Sequence, residues 1–117
     1  MIRLGLIIPL LALIIGCERV EPFAPDNSKP VSQFIQSASI IYSGEGVKFD
    51  ASNSVDSDGE IVSYNWDFDD WYSGSGKITS HVYHAIGEFS PKLTVTDEEG
   101  AKSTSQGHVR VKSKIFW

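Results

Sequence analysis

The chain has 117 residues, 41% of them hydrophobic, a formal net charge of −5 and a single cysteine, Cys17. That length holds one small domain with enough apolar content for a core. The acidic balance and scattered lysines and arginines exclude a nucleic-acid binder, which needs a clustered cationic face, and the lone cysteine excludes an internal disulfide.

Residues 1–16 read as a signal peptide: Arg3, an apolar run from Leu4 to Ile15, and small Gly16 before Cys17. As a helix that run spans roughly 18 Å, short of a bilayer's core of about 30 Å, and Pro9 weakens it further. Ile14-Ile15-Gly16-Cys17 resembles the bacterial lipoprotein box. That resemblance implies cleavage before Cys17 and acylation of it, palmitate included, with two or more chains giving lasting membrane attachment. Glu18, where an aspartate would resemble an inner-membrane retention signal, leans the expected location towards the outer membrane of a bacterial cell envelope. Residues 17–29 then form a lipidated cysteine and an extended tether stiffened by Pro22 and Pro25.

From residue 30 to 117 the pattern is all-β. Pro30 to Phe34 begins a first strand, Ile40 to Tyr42 is a further apolar patch, and Ser43 to Gly46 turns the chain. Val47, Phe49 and Ala51 alternate with polar residues, as do Val62, Tyr64, Trp66 and Phe68, so each set faces a core. Between them SNSVDSDGE is a loop. Asp69 to Gly76 reads as a second loop, Lys77 to Tyr83 as a strand, and Phe89 to Thr96 as a clear two-period strand. Pro91 lacks an amide donor and belongs at an edge or bulge. Asp97 to Gly100 turns into a last strand centred on Val109 and Val111. Short strands and turns at this spacing predict an immunoglobulin-like Greek-key β-sandwich of about seven strands.

The motifs FDAS-x-S-x-D-x-DG at Phe49 to Gly59, I-x-x-Y-x-WDF at Ile61 to Phe68, H-x-Y at His81 to Tyr83 and L-x-V-x-D-x-x-G at Leu93 to Gly100 resemble the PKD (polycystic kidney disease) domain. The resemblance covers about residues 27 to 112 and implies a β-sandwich used at cell surfaces for protein–protein or carbohydrate contacts. One position departs from it. The family's Gly-Asp-Gly after WDF reads Asp69-Asp70-Trp71 here, which predicts that the turn loses its glycine-dependent shape.

Calcium-binding members of the family place the ion at one pole of the sandwich. The resemblance therefore implies Asp56 and Asp97 as carboxylate ligands of a structural calcium, with Asn27 and Ser28 contributing oxygens. The alternative is that these aspartates cap turns. An EF-hand is excluded, because Asn65 stands where the loop from Ser54 needs its closing acidic ligand.

No catalytic set emerges. Asp67, Asp69 and Asp70 lie at a strand end and turn with no cleft implied, His81 and His84 fall on opposite faces, and no G-x-S-x-G elbow is present. The chain is expected not to be an enzyme. Trp71 and Tyr72, in a polar loop at the pole opposite the aspartates, are candidate ligand-binding residues, or else they fold back over the sandwich end. The expected function is a membrane-anchored lipoprotein presenting its domain to a protein partner or in a structural role. The alternative is a polysaccharide-binding accessory to a separate enzyme.

Overall fold

The computed structural model describes residues 27–115, so Cys17, the signal peptide, most of the tether and Phe116-Trp117 lie outside the described residues. The described residues form ten strands: β1 (Ile35–Gln36), β2 (Ile40–Tyr42), β3 (Gly46–Asp50), β4 (Ile61–Asp67), β5 (Ser73–Ser75), β6 (Ile78–Val82), β7 (Gly87–Phe89), β8 (Lys92–Asp97), β9 (Lys102–Gln106) and β10 (Val109–Lys112). The fold is an all-β sandwich.

One layer has the order β1-β3-β6. The other joins β5-β4-β8-β9 to β7-β10-β2. The pairs Lys92↔Gln106 of β8–β9 and Phe89↔Val109 of β7–β10 keep one register, and the Gly107 N–H donates to the Pro91 carbonyl (2.8 Å) across the break. Pro91 thus sits at the interruption its missing donor requires. β1 and β2 likewise form one strand that changes layers, β1 pairing with β3 and β2 running parallel to β10. Joining these three interrupted strands reduces the ten segments to the seven expected.

The core is built as the alternation dictates. Val47, Phe49, Ala51, Trp66, Phe68, Tyr83, Leu93, Val95, Val109 and Val111 are buried together. The Trp66 ring lies 5.1 Å from Phe34 and 5.2 Å from Phe49, and its Nε1–H donates to the Gly76 carbonyl (2.8 Å). Gly76 has φ 112°, a conformation that L side chains resist, and it links β5 to β6.

Four sequence expectations change. Val62 does not join the core: a register shift between Ile61 and Ser63 on β4 turns it out, 61% exposed, while Ile61 packs inward. Pro30 to Phe34 forms only a bridge, Val31↔Val55, and the strand itself starts at Ile35. Ser73–Ser75, inside the expected loop, pairs with β4. The last strand is preceded by β9, wholly polar in sequence, which takes its place from its ladder with β8 rather than from any apolar face.

Candidate functional site

Two poles result from this topology. At one, β3 and β8 end, β4 begins and the chain enters at Asn27; at the other, β4 and β6 end and β7 begins.

The entry pole gathers acidic groups. Val31 and Val55 exchange main-chain hydrogen bonds (2.7 and 3.1 Å), and Ser54 Oγ bonds both the N–H and the C=O of Gln33 (2.8 and 2.7 Å), pinning the first segment against the loop after β3. Asn27 Nδ2 then donates to Asp97 Oδ2 (2.8 Å), and the Ser28 N–H donates to Asp58 Oδ2 (2.7 Å). Asp97, 2% exposed, also accepts the Glu99 and Ala101 N–H groups on Oδ1, both at 2.9 Å, which builds the turn between β8 and β9. The Asp56 Oδ2 atom is buried and accepts no hydrogen bond. A Cβ at Gly59 would stand 2.8 Å from the end of the Glu98 side chain, which would have to shift, and in ordinary contact, 3.5 Å, with Asp56 Oδ2.

The charges follow from this geometry. Burial, then the neighbouring Asp58 carboxyl and the charges of Asp58 and Asp97, raise the Asp56 carboxyl above its ordinary value. The Ser28 N–H and the Asp56 side chain lower Asp58, and the Asn27 amide with the Ala101 and Glu99 N–H groups lowers Asp97. Asn27, Asp56 and Asp97 therefore meet as expected. Ser28 joins them through its N–H, which donates to Asp58, and Asp58 is the further carboxylate that its D-x-D spacing with Asp56 signals. Among the described residues no group of three or more His, Cys, Asp or Glu side chains is already set to hold a metal ion. Asp97 Oδ2 accepts a single hydrogen bond and keeps a lone pair that an ion could take, and Asn27 would serve as an oxygen ligand only with its amide turned to present Oδ1.

The opposite pole carries the aromatic loop. Asp69 has φ 68° and Trp71 φ 74°, both left-handed, so the turn keeps the glycine-type shape without glycine, contrary to expectation. It is tied down from several sides. Asp69 N–H donates to Asp67 Oδ1 (2.9 Å), Asp69 Oδ2 accepts the Ser90 N–H (2.9 Å), and the Phe68 N–H donates to the Tyr72 carbonyl (3.1 Å). Asp70 Oδ2 meets His81 Nε2 at 2.6 Å, and that imidazole stacks on Phe68, ring centroids 4.2 Å apart. Tyr83 donates its hydroxyl to the Phe68 carbonyl (3.0 Å). Burial pushes the Tyr83 phenol well up, the charges of Asp70, Asp69 and Asp67 adding to it, so it stays a donor.

H-x-Y is thus a clamp on the loop. Tyr83→Phe should lower unfolding free energy by about 1–3 kcal/mol, because it strands the buried Phe68 carbonyl. Chemical denaturation checks this, and an unchanged midpoint would show the bond carries nothing.

Trp71 does not fold back. It is 102% exposed and Tyr72 66%, and with Asp67, Asp69 and Ser73 they line an open recess of about 450 Å³. No deep cleft joins the three aspartates of this pole, and Asp70 is spent on His81.

A model of the PKD domain matches residues 27–112. Among curated proteins the chain is 37% identical to the collagenase ColA of Clostridium perfringens over 85 residues, 73% of this chain and 8% of that protein. It is 34% identical to the pre-pro-metalloprotease PrtV of Vibrio cholerae over 97 residues, 82% of this chain and 10% of that protein. The chain thus spans about a tenth or less of these relatives. Among solved structures, one described as concerning carbohydrate-binding modules of the β-sandwich superfamily matches with TM-score 0.73 and 38% identity, over 76% of this chain and 36% of that one. The PKD1 domain of Vibrio anguillarum Epp matches with TM-score 0.66 and 34% identity over 76% of this chain and 100% of that one, so the matched unit stands alone there as a folded chain. Strand pattern, H-x-Y clamp and family match agree: the chain belongs to the PKD domain family.

Proposed function

We propose that this is a non-catalytic binding module, held in the bacterial cell envelope through lipid on Cys17, that presents its aromatic loop to an extracytoplasmic protein partner. The observation that carries the reading is Trp71. A large apolar side chain is held fully in solvent, on a left-handed backbone, at the pole opposite the one where the chain enters. Nothing in folding calls for that, whereas an exposed tryptophan beside a tyrosine is a ready anchor for a macromolecular surface. A tether leaving from Asn27 would hold this pole away from the membrane.

The relatives named as collagenases make an insoluble protein polymer the first ligand to try. The likeness to the carbohydrate-binding-module structure favours a second reading, a polysaccharide stacked on the same aromatics. Pull-down of Asn27–Trp117 on insoluble collagen and on a panel of polysaccharides that includes peptidoglycan separates them, with Trp71→Ala alongside. Retention on collagen that the substitution abolishes supports the first reading, and retention on a glycan supports the second. Retention that Trp71→Ala leaves unchanged removes the loop from both.

For the anchor, a palmitate analogue fed to expressing bacteria should label the full chain and leave Cys17→Ser unlabelled. Equal labelling of the two would end that part of the proposal.

We also propose a structural calcium at the entry pole, held by Asn27, Asp56, Asp58 and Asp97. The buried, unbonded Asp56 Oδ2 among carboxylates supports it, since hard oxygens are what that ion takes and its charge would offset theirs.

A further inference from the structure

β6 is an outer strand of the three-stranded layer. The Ala51 N–H donates to the Lys77 carbonyl (2.8 Å) and the Tyr83 N–H to the Glu45 carbonyl (3.2 Å), so the odd-numbered residues of this stretch aim their main-chain groups at β3. Ile78, Ser80 and Val82 therefore aim theirs the other way, where no main-chain partner meets them among the described residues. Their side chains are open as well, Ile78 at 53% and Val82 at 42% exposure.

Such edges are commonly blunted by proline, charge, a bulge or brevity. Ile78–Val82 has five residues in unbroken register with β3, no proline, and no titratable side chain except His81, which is turned inward onto Asp70.

The geometry points to β6 as a self-association seam, in which β6 pairs antiparallel with the β6 of a second copy across a two-fold axis at Ser80. A two-fold there sets Ser80 opposite Ser80 and Ile78 opposite Val82. Both are pairings of the hydrogen-bonded kind, so every outward main-chain group of β6 is met in both copies. Ile78 and Val82 stand equally far from Ser80 and are both β-branched, which makes the strand complementary to itself in the cross-strand pairs that stabilise sheets. The lysine paired with Ser80 fits too. Lys48 stands beside Ser80 on β3, one strand in from the seam. The two copies' Lys48 chains thus lie three strand spacings apart, roughly 14 Å, beyond the screening length of about 8 Å at physiological salt. The result is one six-stranded layer, β1-β3-β6-β6-β3-β1, with the Asn27 poles at its opposite ends. This seam is separate from the Trp71 loop and stands whether or not that loop binds.

Sedimentation velocity of Asn27–Trp117 from micromolar to millimolar concentration should show a dimer that grows with concentration. Ser80→Asp and Ser80→Lys each set like charges face to face at the axis and should weaken the dimer about fivefold or more, while an equimolar mixture of the two should restore it. Ser80→Pro removes only an outward N–H, spares the ladder to β3, and should be monomeric. Near-ultraviolet circular dichroism checks that each variant is folded. A chain that stays monomeric at the highest concentration overturns the seam. So does a dimer that all three folded variants retain, or a mixture of folded Asp and Lys variants that stays monomeric.

Discussion

Changing Asp56 to asparagine should raise the melting temperature of Asn27–Trp117 in chelator by a few degrees and abolish the rise that calcium gives the unaltered domain. Both effects come from one atom. Asp56 Oδ2 is buried without a hydrogen bond, next to the Asp58 and Asp97 charges, so the ionised form is penalised. Asparagine keeps the shape and drops the charge. The pH dependence has a definite sign. A carboxyl whose folded pKa is raised costs nothing below its unfolded value of about 3.9 and destabilises as pH rises through the folded value. The advantage of Asp56→Asn in chelator is therefore expected at pH 7 and gone below about pH 4. Asp58 and Asp97 run oppositely: their lowered values contribute stability above about pH 3.9 that is lost as pH falls through them. Calcium at one hundred times its dissociation constant would stabilise the unaltered domain by about 2.7 kcal/mol, which for a domain this size is on the order of 10 °C. Differential scanning calorimetry with calcium and with chelator, at pH 7 and pH 3.5, gives all four values. A melting temperature indifferent to calcium would leave Asp56 as a turn residue and remove the ion from the proposal.

The sequence makes the core legible because the core obeys a period of two. Phe49, Trp66, Leu93 and Val111 can each be placed inside by counting alternate residues, and each is buried. Counting fails where pairing overrides pattern. β9, Lys-Ser-Thr-Ser-Gln, has no apolar residue to signal a strand, yet five of its residues pair with β8, whose Leu93 and Val95 supply the buried face. Val62 continues the apolar alternation of β4 and is still turned out, because a shift in register against β8 is a property of two strands and no single one encodes it. The entry pole was legible in part. Strand order brings Asn27, Asp56 and Asp97 together, but Ser28 acting through its N–H is a main-chain fact that its side chain does not announce. The free edge of β6 was not legible at all, since which strands lack a neighbour is settled only when the layers assemble.

Trp71→Gly should stabilise the domain and destroy its binding, and this opposition separates a functional tryptophan from an incidental one. At φ 74° the Trp71 Cβ crowds its own backbone, a strain of roughly 1–2 kcal/mol that glycine does not suffer. At 102% exposure the ring buries nothing in the free domain, so its removal forfeits no packing. Glycine gives back about 0.5–1 kcal/mol through its greater freedom in the unfolded chain, leaving a net gain of up to about 1.5 kcal/mol. The companion position makes the control. Asp69 is equally left-handed at φ 68°, but its Oδ2 holds the Ser90 N–H and thereby ties the loop to the segment before β8, so Asp69→Gly exchanges relief of strain for a lost bond and should gain nothing. For binding, the loss of an aromatic anchor at the centre of a contact costs on the order of 2 kcal/mol or more, about thirtyfold in affinity. Urea denaturation of the two variants, set beside retention on whichever polymer holds the unaltered domain, tests both halves at once. If Trp71→Gly destabilises the fold, the ring is packed in solution and the loop is a cap on the sandwich. If it stabilises the fold and binding persists, the contact surface lies elsewhere. Stability gained together with binding lost would mean that the tryptophan is kept at the fold's expense for what it touches outside the chain.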